Sequence, residues 1–226
     1  PVQSLTSLLA ASCRVGKRDI ALSAFQELRA RAAETADGMP LADKPASQSI
    51  LEPSLLRSLT LALGSSSAGT ELVPAEDVHA LLAMHAKVHL DKENASSLVR
   101  LCASAGLLSD ARQHLQAMCA ARSPPMPPGA ALLASFVSAC SQYPEGPTEG
   151  STAFEALSEH GPLALKKHAD IWAALVPACA TQSRPDLGFA LMTRMQQAGH
   201  PIDDPAAVSL LGALEAHGHA ESAFEL

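Results

Sequence analysis

Apolar positions recur along this chain at helical spacing, broken by short turns that carry glycine or proline. In Ser96–Arg122, SSLVRLCASAGLLSDARQHLQAMCAAR, residues Leu98, Val99, Leu101, Cys102 and Ala105 form one apolar face. Ala111, Leu115 and Met118 then fall at i, i+4 and i+7 on a second. The pattern predicts two short helices joined by a tight turn at Gly106. A hairpin of this size cannot bury both faces alone and needs neighbours.

The rest of the chain supplies them. Over 2–32, Leu5, Leu8, Leu9 and Ser12 line a first helix, Gly16 makes the turn, and Ala21, Phe25 and Leu28 form the second stripe. Gly16 to Ala21 and Gly106 to Ala111 are the same step, and the stripes that follow share the same four-plus-three spacing, the mark of an internal repeat. Further hairpins are predicted near 51–90, 92–122 (with Asn94 as N-cap), 130–160, 169–203 and 204–226. Pro177 is expected to kink the first helix of the fifth, and Asp204–Pro205 to open the sixth. The polar or Pro/Gly-rich stretches 33–50, 64–74, 123–129 and 143–152 read as loops and insertions. The expected fold is all-α: a single α-solenoid of about six helix-turn-helix repeats in a right-handed superhelix.

Composition narrows the function. Hydrophobic residues make up 47% of the 226, aromatics only 3%, and long Val/Ile/Thr alternation is missing, so no sheet is expected. A net charge of -7 weighs against a strongly electrostatic nucleic-acid binder, and no DNA partner is expected. The longest apolar runs, such as IWAALVPACA, are too short to span a bilayer, so no membrane insertion is expected. The chain opens without an initiator Met and stops within a helical pattern at Glu221–Leu226, as a piece of a longer protein would.

Chemistry-bearing motifs are sparse. The five cysteines form no CxxC pair; Cys13, Cys102, Cys140 and Cys179 fall near one place in successive hairpins and read as reduced core thiols. His85 and His89 have ligand-like spacing but no HExxH pattern, and together with His217 and His219 read as solvated histidines. GSSSAGTE at 64–71 lacks the Lys of a phosphate-binding loop and misses G-x-S-x-G by one residue. Glu145, Glu149, Glu155 and Glu159 read as a solvated face. No catalytic residue, metal site or cofactor is expected.

GLLSDARQHLQAM and DLGFALMTRMQQAGHPID resemble pentatricopeptide repeats, with their small residue, aliphatic and Met, then Gly and a closing Asp. A tetratricopeptide array fits less well, because Trp172 is the single Trp and no suitable Gly follows it. The resemblance implies a concave groove, lined by first helices, that binds single-stranded RNA at one base per repeat, in a mitochondrion or chloroplast. It would place base-reading positions at Thr6, Ser54, Ser96, Ala134, Ala173 and Val208, and closing positions at Asp91, Gly129, His168 and Asp203. Ser54 with Asp91 is the usable pair and would favour a purine. The phosphate-facing positions late in the first helices would be Arg14, Ala62, Ser104, Gln142, Thr181 and Ala216.

Ala and Val offer no hydrogen bond to a base edge, and one cation in six neutralises little phosphate. The expected function is therefore a non-catalytic organellar binding scaffold. It would be associated with RNA, in RNA metabolism or a large ribonucleoprotein, and would mainly bridge protein partners. The alternatives are a sequence-specific factor for organellar transcript processing and an assembly subunit of a complex without RNA.

Overall fold

Three turns in this protein are built alike, and they set the register of everything around them. At Gly16 (φ +71°), Gly106 (φ +77°) and Ser183 (φ +57°) the chain enters the left-handed region and leaves one helix for the next. In each, the amide one residue on donates to the carbonyl four residues before the turn: Lys17 to Ser12, Leu107 to Cys102 and Arg184 to Cys179, at 2.8–2.9 Å. This closure satisfies carbonyls that a helix end otherwise leaves bare. Glycine takes that φ at no cost; Ser183 holds it with a side chain.

The computed structural model describes residues 2–37, 51–64, 73–85, 91–120, 128–159, 169–197, 199, 204–216 and 218. Among these the structure is all-helical. The helices are α1 (Val2–Val15), α2 (Arg18–Asp37), α3 (Pro53–Gly64), α4 (Ala75–His85), α5 (Lys92–Ser104), α6 (Leu108–Ala120), α7 (Ala130–Cys140), α8 (Gly146–Glu159), α9 (Ala169–Ala173), α10 (Leu175–Thr181), α11 (Pro185–Gln197) and α12 (Asp204–Ala216). No helix among the described residues is long and apolar enough to cross a membrane.

The chain divides into two compact units, Pro1–Leu101 and Cys102–Leu226. In the first, α1 packs on α2 and α3, α2 also meets α3, and α3 meets α4. Leu9, Ala21, Phe25, Leu28, Leu56, Leu59 and Leu81 are buried there. In the second, α8 lies against α6, α7, α10 and α11, and α10 lies against α7, α11 and α12. Phe136, Trp172, Leu175, Leu191 and Met195 are buried there. Trp172 meets Phe154 edge-on, with ring centroids 5.3 Å apart and an interplanar angle of 72°. That geometry adds about 1 kcal/mol to the area the two rings bury.

The small-then-large stripe recurs more widely than expected from sequence. Ala21–Phe25–Leu28 on α2 and Ala111–Leu115–Met118 on α6 are buried as foreseen. Gly150–Phe154–Leu157 on α8 and Gly188–Met192–Met195 on α11 have the same spacing and are buried too. The glycines sit where a side chain has no room. A Cβ on Gly150 would come within 2.9 Å of Leu175 Cδ2, and one on Gly188 within 2.7 Å of Leu210 Cδ1.

Several boundaries differ from the sequence reading. Residues 33–37, expected in a loop, continue α2, because Ala32 to Asp37 contains no breaker. The segment 143–152, expected as an insertion, is helical from Gly146 onward; Pro147 fits a first helical turn, where no amide hydrogen is required. Asn94 is not the N-cap of α5. Asp91 is: its carbonyl accepts from the Ala95 amide and its carboxylate from the Asn94 amide at 2.8 Å. Pro177 acts as expected, since it cannot donate to the Ala173 carbonyl, and the helix breaks at Ala174 between α9 and α10. The stretch 65–72 and most of 123–129 lie outside the described residues.

Candidate functional site

Helix ends of α1, α3 and α5 converge on an open groove of about 510 Å³. Its polar lining is Arg14, Ser58, Glu93, Ser97 and Arg100, with Cys13, Leu61 and Ala62 giving apolar floor. Two guanidinium groups face one carboxylate, so the groove has a slight cationic excess within an acidic chain. Arg100 is held in place: its Nε donates to the Gly64 carbonyl at 3.1 Å and its Nη2 to Ser97 Oγ at 3.2 Å. The Gly64 carbonyl ends α3, where the helix dipole favours a cation. Gly64 is required there, because a Cβ would lie 2.7 Å from Ser97 Cβ and 2.9 Å from the Ser97 carbonyl oxygen. Arg14 Nε donates to the Ala10 carbonyl at 3.3 Å, and the side chain is exposed.

Of the residues singled out as RNA-facing, Arg14 lines this groove. Thr6 and Ser96 are half-buried, and each hydroxyl donates to its own helix, Thr6 to the Gln3 carbonyl at 2.9 Å and Ser96 to the Lys92 carbonyl at 2.7 Å. Ser54 and Ala134 are exposed, Ala173 is half-buried at the end of α9, and Val208 is 66% exposed on α12. Asp91 is exposed but engaged: its carboxylate takes the Asn94 amide and side-chain N–H groups. Those bonds, led by the Asn94 backbone amide, hold its carboxyl below the usual range. His168 and Asp203 lie outside the described residues.

Arg100 is the residue of this candidate groove that the sequence reading missed. It occupies no repeat position assigned to a cation, and only the packing of α3 on the Ser97 face reveals it. His85 is likewise corrected: it is buried rather than solvated, with Nε2 2.6 Å from Thr60 Oγ1 inside the first unit. His89, His217 and His219 lie outside the described residues. Glu149 is not part of a solvated face, since Arg112 Nε donates to it at 2.6 Å with both side chains about four-fifths buried.

The thiols behave as core groups. Cys102, Cys140 and Cys179 are buried, and burial pushes the first two up to about 12 and the third to about 11, with nearby carboxylates adding to the rise. Their register is cleaner than the sequence suggested: Cys102 and Cys179 both precede the turn residue by four, where α1 has buried Ser12, and Cys13 lies one position on. Raised values stabilise the protonated folded form, so this contribution is complete below about pH 9 and is lost as pH climbs towards 12. In the folded protein at pH 8, Ellman's reagent should react slowly with half-buried Cys13 and Cys119 and leave the other three untouched until denaturant is added. Five fast-reacting thiols would reject this.

Among the described residues no group of three His, Cys, Asp or Glu side chains could hold a metal ion. Compared with models of known protein families the chain matches none, and no curated protein matches it.

Proposed function

We propose that this chain is a non-catalytic helical-repeat scaffold of pentatricopeptide type, an α-solenoid whose hairpins stack into a right-handed superhelix. It would work in a mitochondrion or chloroplast, associated with RNA and mainly bridging proteins. The carrying observation is the shared register of α2, α6, α8 and α11: a small residue five positions after the turn, then large apolar residues four and seven further on. In α8, whose turn is longer, Gly150 takes the place of that small residue. Such recurrence is what stacked, mutually dependent hairpins need.

Weak use of RNA is supported by the side chains. The hydroxyls of Thr6 and Ser96 are spent on backbone carbonyls and Asp91 on a helix cap. Arg14 and Arg100 together provide a place for about one phosphate. A filter-binding titration across salt should give Kd no tighter than ~1 µM at physiological salt, equal for different single-stranded sequences. Sub-micromolar preference for one sequence over its scrambled version would replace this reading with that of a sequence-specific factor. Complete lack of RNA association in the cell, with protein partners retained, would favour an assembly subunit of a complex without RNA.

A further inference from the structure

Five arginines of this protein meet carboxylates, and two that share one groove do not. Arg29 pairs with Asp77, Arg31 with Glu27, Arg112 with Glu149, Arg184 with Asp186 and Arg194 with Glu155. Among the described residues, Arg14 and Arg100 have neutral partners instead: the Ala10 carbonyl for the first, the Gly64 carbonyl and the Ser97 hydroxyl for the second. Glu93 lines the same groove, yet no ion pair joins it to either guanidinium. A guanidinium carries several N–H donors in a fixed fork. The contacts of Arg100 engage Nε and Nη2, so they hold the side chain still and leave Nη1 for a ligand. A group fixed in this way loses little conformational freedom when it binds.

The rest of the lining selects among anions. α3 packs on α1 and, through Gly64, reaches Ser97 of α5, and it contributes Leu61 and Ala62. α1 adds Cys13 and also Val15, which is 71% exposed. Apolar floor and cations in one groove suit a segment that carries apolar side chains and carboxylates together, and a carboxylate matches the guanidinium fork. A nucleic-acid strand fits less well. None of the lining residues is aromatic, so no ring is offered for a base to stack on. Glu93 repels a continuous run of phosphates, whereas it can accept an N–H of a peptide. Three helices of this chain frame the groove, all within the first unit, so its walls do not depend on what precedes α1.

We infer that the groove between α1, α3 and α5 is a docking site for an acidic segment of a partner protein, in which carboxylates alternate with apolar side chains. Arg14 and Arg100 take the carboxylates, and Cys13, Leu61 and Ala62 take the apolar side chain. This site rests on the scaffold reading above, but its test separates the two. A failed peptide titration removes this groove as a protein contact, whereas the scaffold reading is decided by what accompanies the protein and by its RNA titration.

The probe is a fluorescein-labelled peptide of repeating Asp-Leu-Glu, titrated against the 226-residue chain by fluorescence anisotropy at low salt. It should bind with Kd of about 100 µM, and its neutral counterpart of repeating Asn-Leu-Gln about tenfold more weakly. Arg14→Glu should weaken the acidic peptide about tenfold and Arg100→Gln about fivefold, each with helicity intact. Glu93→Gln should tighten it about threefold, which a merely structural role for these side chains does not predict. Oligouridylate of matching length should shift by no more than about threefold in either arginine variant, as one phosphate contact allows. Equal affinity for the acidic and neutral peptides overturns the proposal. So does a large loss of oligouridylate binding in Arg100→Gln with the peptide unaffected, which would make the groove an RNA seat. Marked tightening of the peptide by Glu71→Gln overturns it as well, because residues after Gly64 would then be the occupant, and a dimer that Arg14→Glu dissociates would make it a second copy.

Discussion

Gly146→Ala should destabilise the second unit by ~3 kcal/mol or more, lowering its melting midpoint by about 10 °C. A Cβ built on Gly146 would overlap the carbonyl oxygen of Cys140, far inside any real contact. The clashing group is backbone, the final carbonyl of α7, so no rotamer change relieves it. The short path from Ser141 to Glu145 must loop back so that α8 can begin beside that carbonyl, and Gly146 N donates to the Tyr143 carbonyl at 3.0 Å to close it. Relief requires α7 and α8 to part by more than an ångström, opening the contact between the two helices and with it the packing of buried Phe136 and Phe154. Gly212→Ala is the control: it lies within α12 with nothing inside 4 Å of an added methyl group, and should stabilise by ~0.5–1 kcal/mol. Thermal unfolding followed by circular dichroism reads both, and a loss below 1 kcal/mol for Gly146→Ala would show that the α7–α8 turn is looser than its geometry implies.

That same glycine explains why the sequence misled at this point. YPEGPTEGS has the composition of a flexible connection, and composition cannot tell a glycine that bends a loop from one that lets two backbones touch. The hairpins around Gly16 and Gly106 were legible because turn and stripe sit at one fixed spacing with no extra residues between them. A turn near Ser183–Pro185 is legible in the sequence too, but its likeness to the other two is not, since a serine at positive φ leaves no trace in a pattern searched by glycine. Gly150 and Gly188 hid the small position of two further stripes, because an apolar-periodicity reading skips glycine even where its missing side chain is what lets helices close.

The candidate site was less legible, for a different physical reason. Positions on first helices could be numbered from the resemblance, but whether a hydroxyl or carboxylate is available depends on its nearest competitor. For Thr6, Ser96 and Asp91 that competitor is local backbone three or four residues away. Arg100 and His85 depend on residues 36 and 25 positions distant, Gly64 and Thr60, and no local pattern points to such pairings.

Breaking the Arg29–Asp77 pair should be the most damaging polar substitution in the first unit. The Asp77 side chain on α4 is 2% exposed, and its carboxylate accepts from Arg29 and, at 2.7 Å, from Gln26 Nε2, both on α2. Arg29 also lies over the Phe25 ring, 6.0 Å from its centroid, so it packs as well as pairs. Arg29→Met keeps most of that packing but leaves a buried carboxylate with Gln26 as its remaining partner from this set. A buried charge stripped of its counter-ion costs ~3–5 kcal/mol, and the 31% exposure of Arg29 places this case at the lower end. The double variant Arg29→Met with Asp77→Leu should recover most of the loss, because an apolar pair needs no compensation there. Urea denaturation of the three variants therefore gives a coupling of at least ~2 kcal/mol. A cost below 1 kcal/mol for Arg29→Met would mean that water reaches Asp77 and that the pair acts like a surface one, fastening α2 to α4 far less than its burial implies.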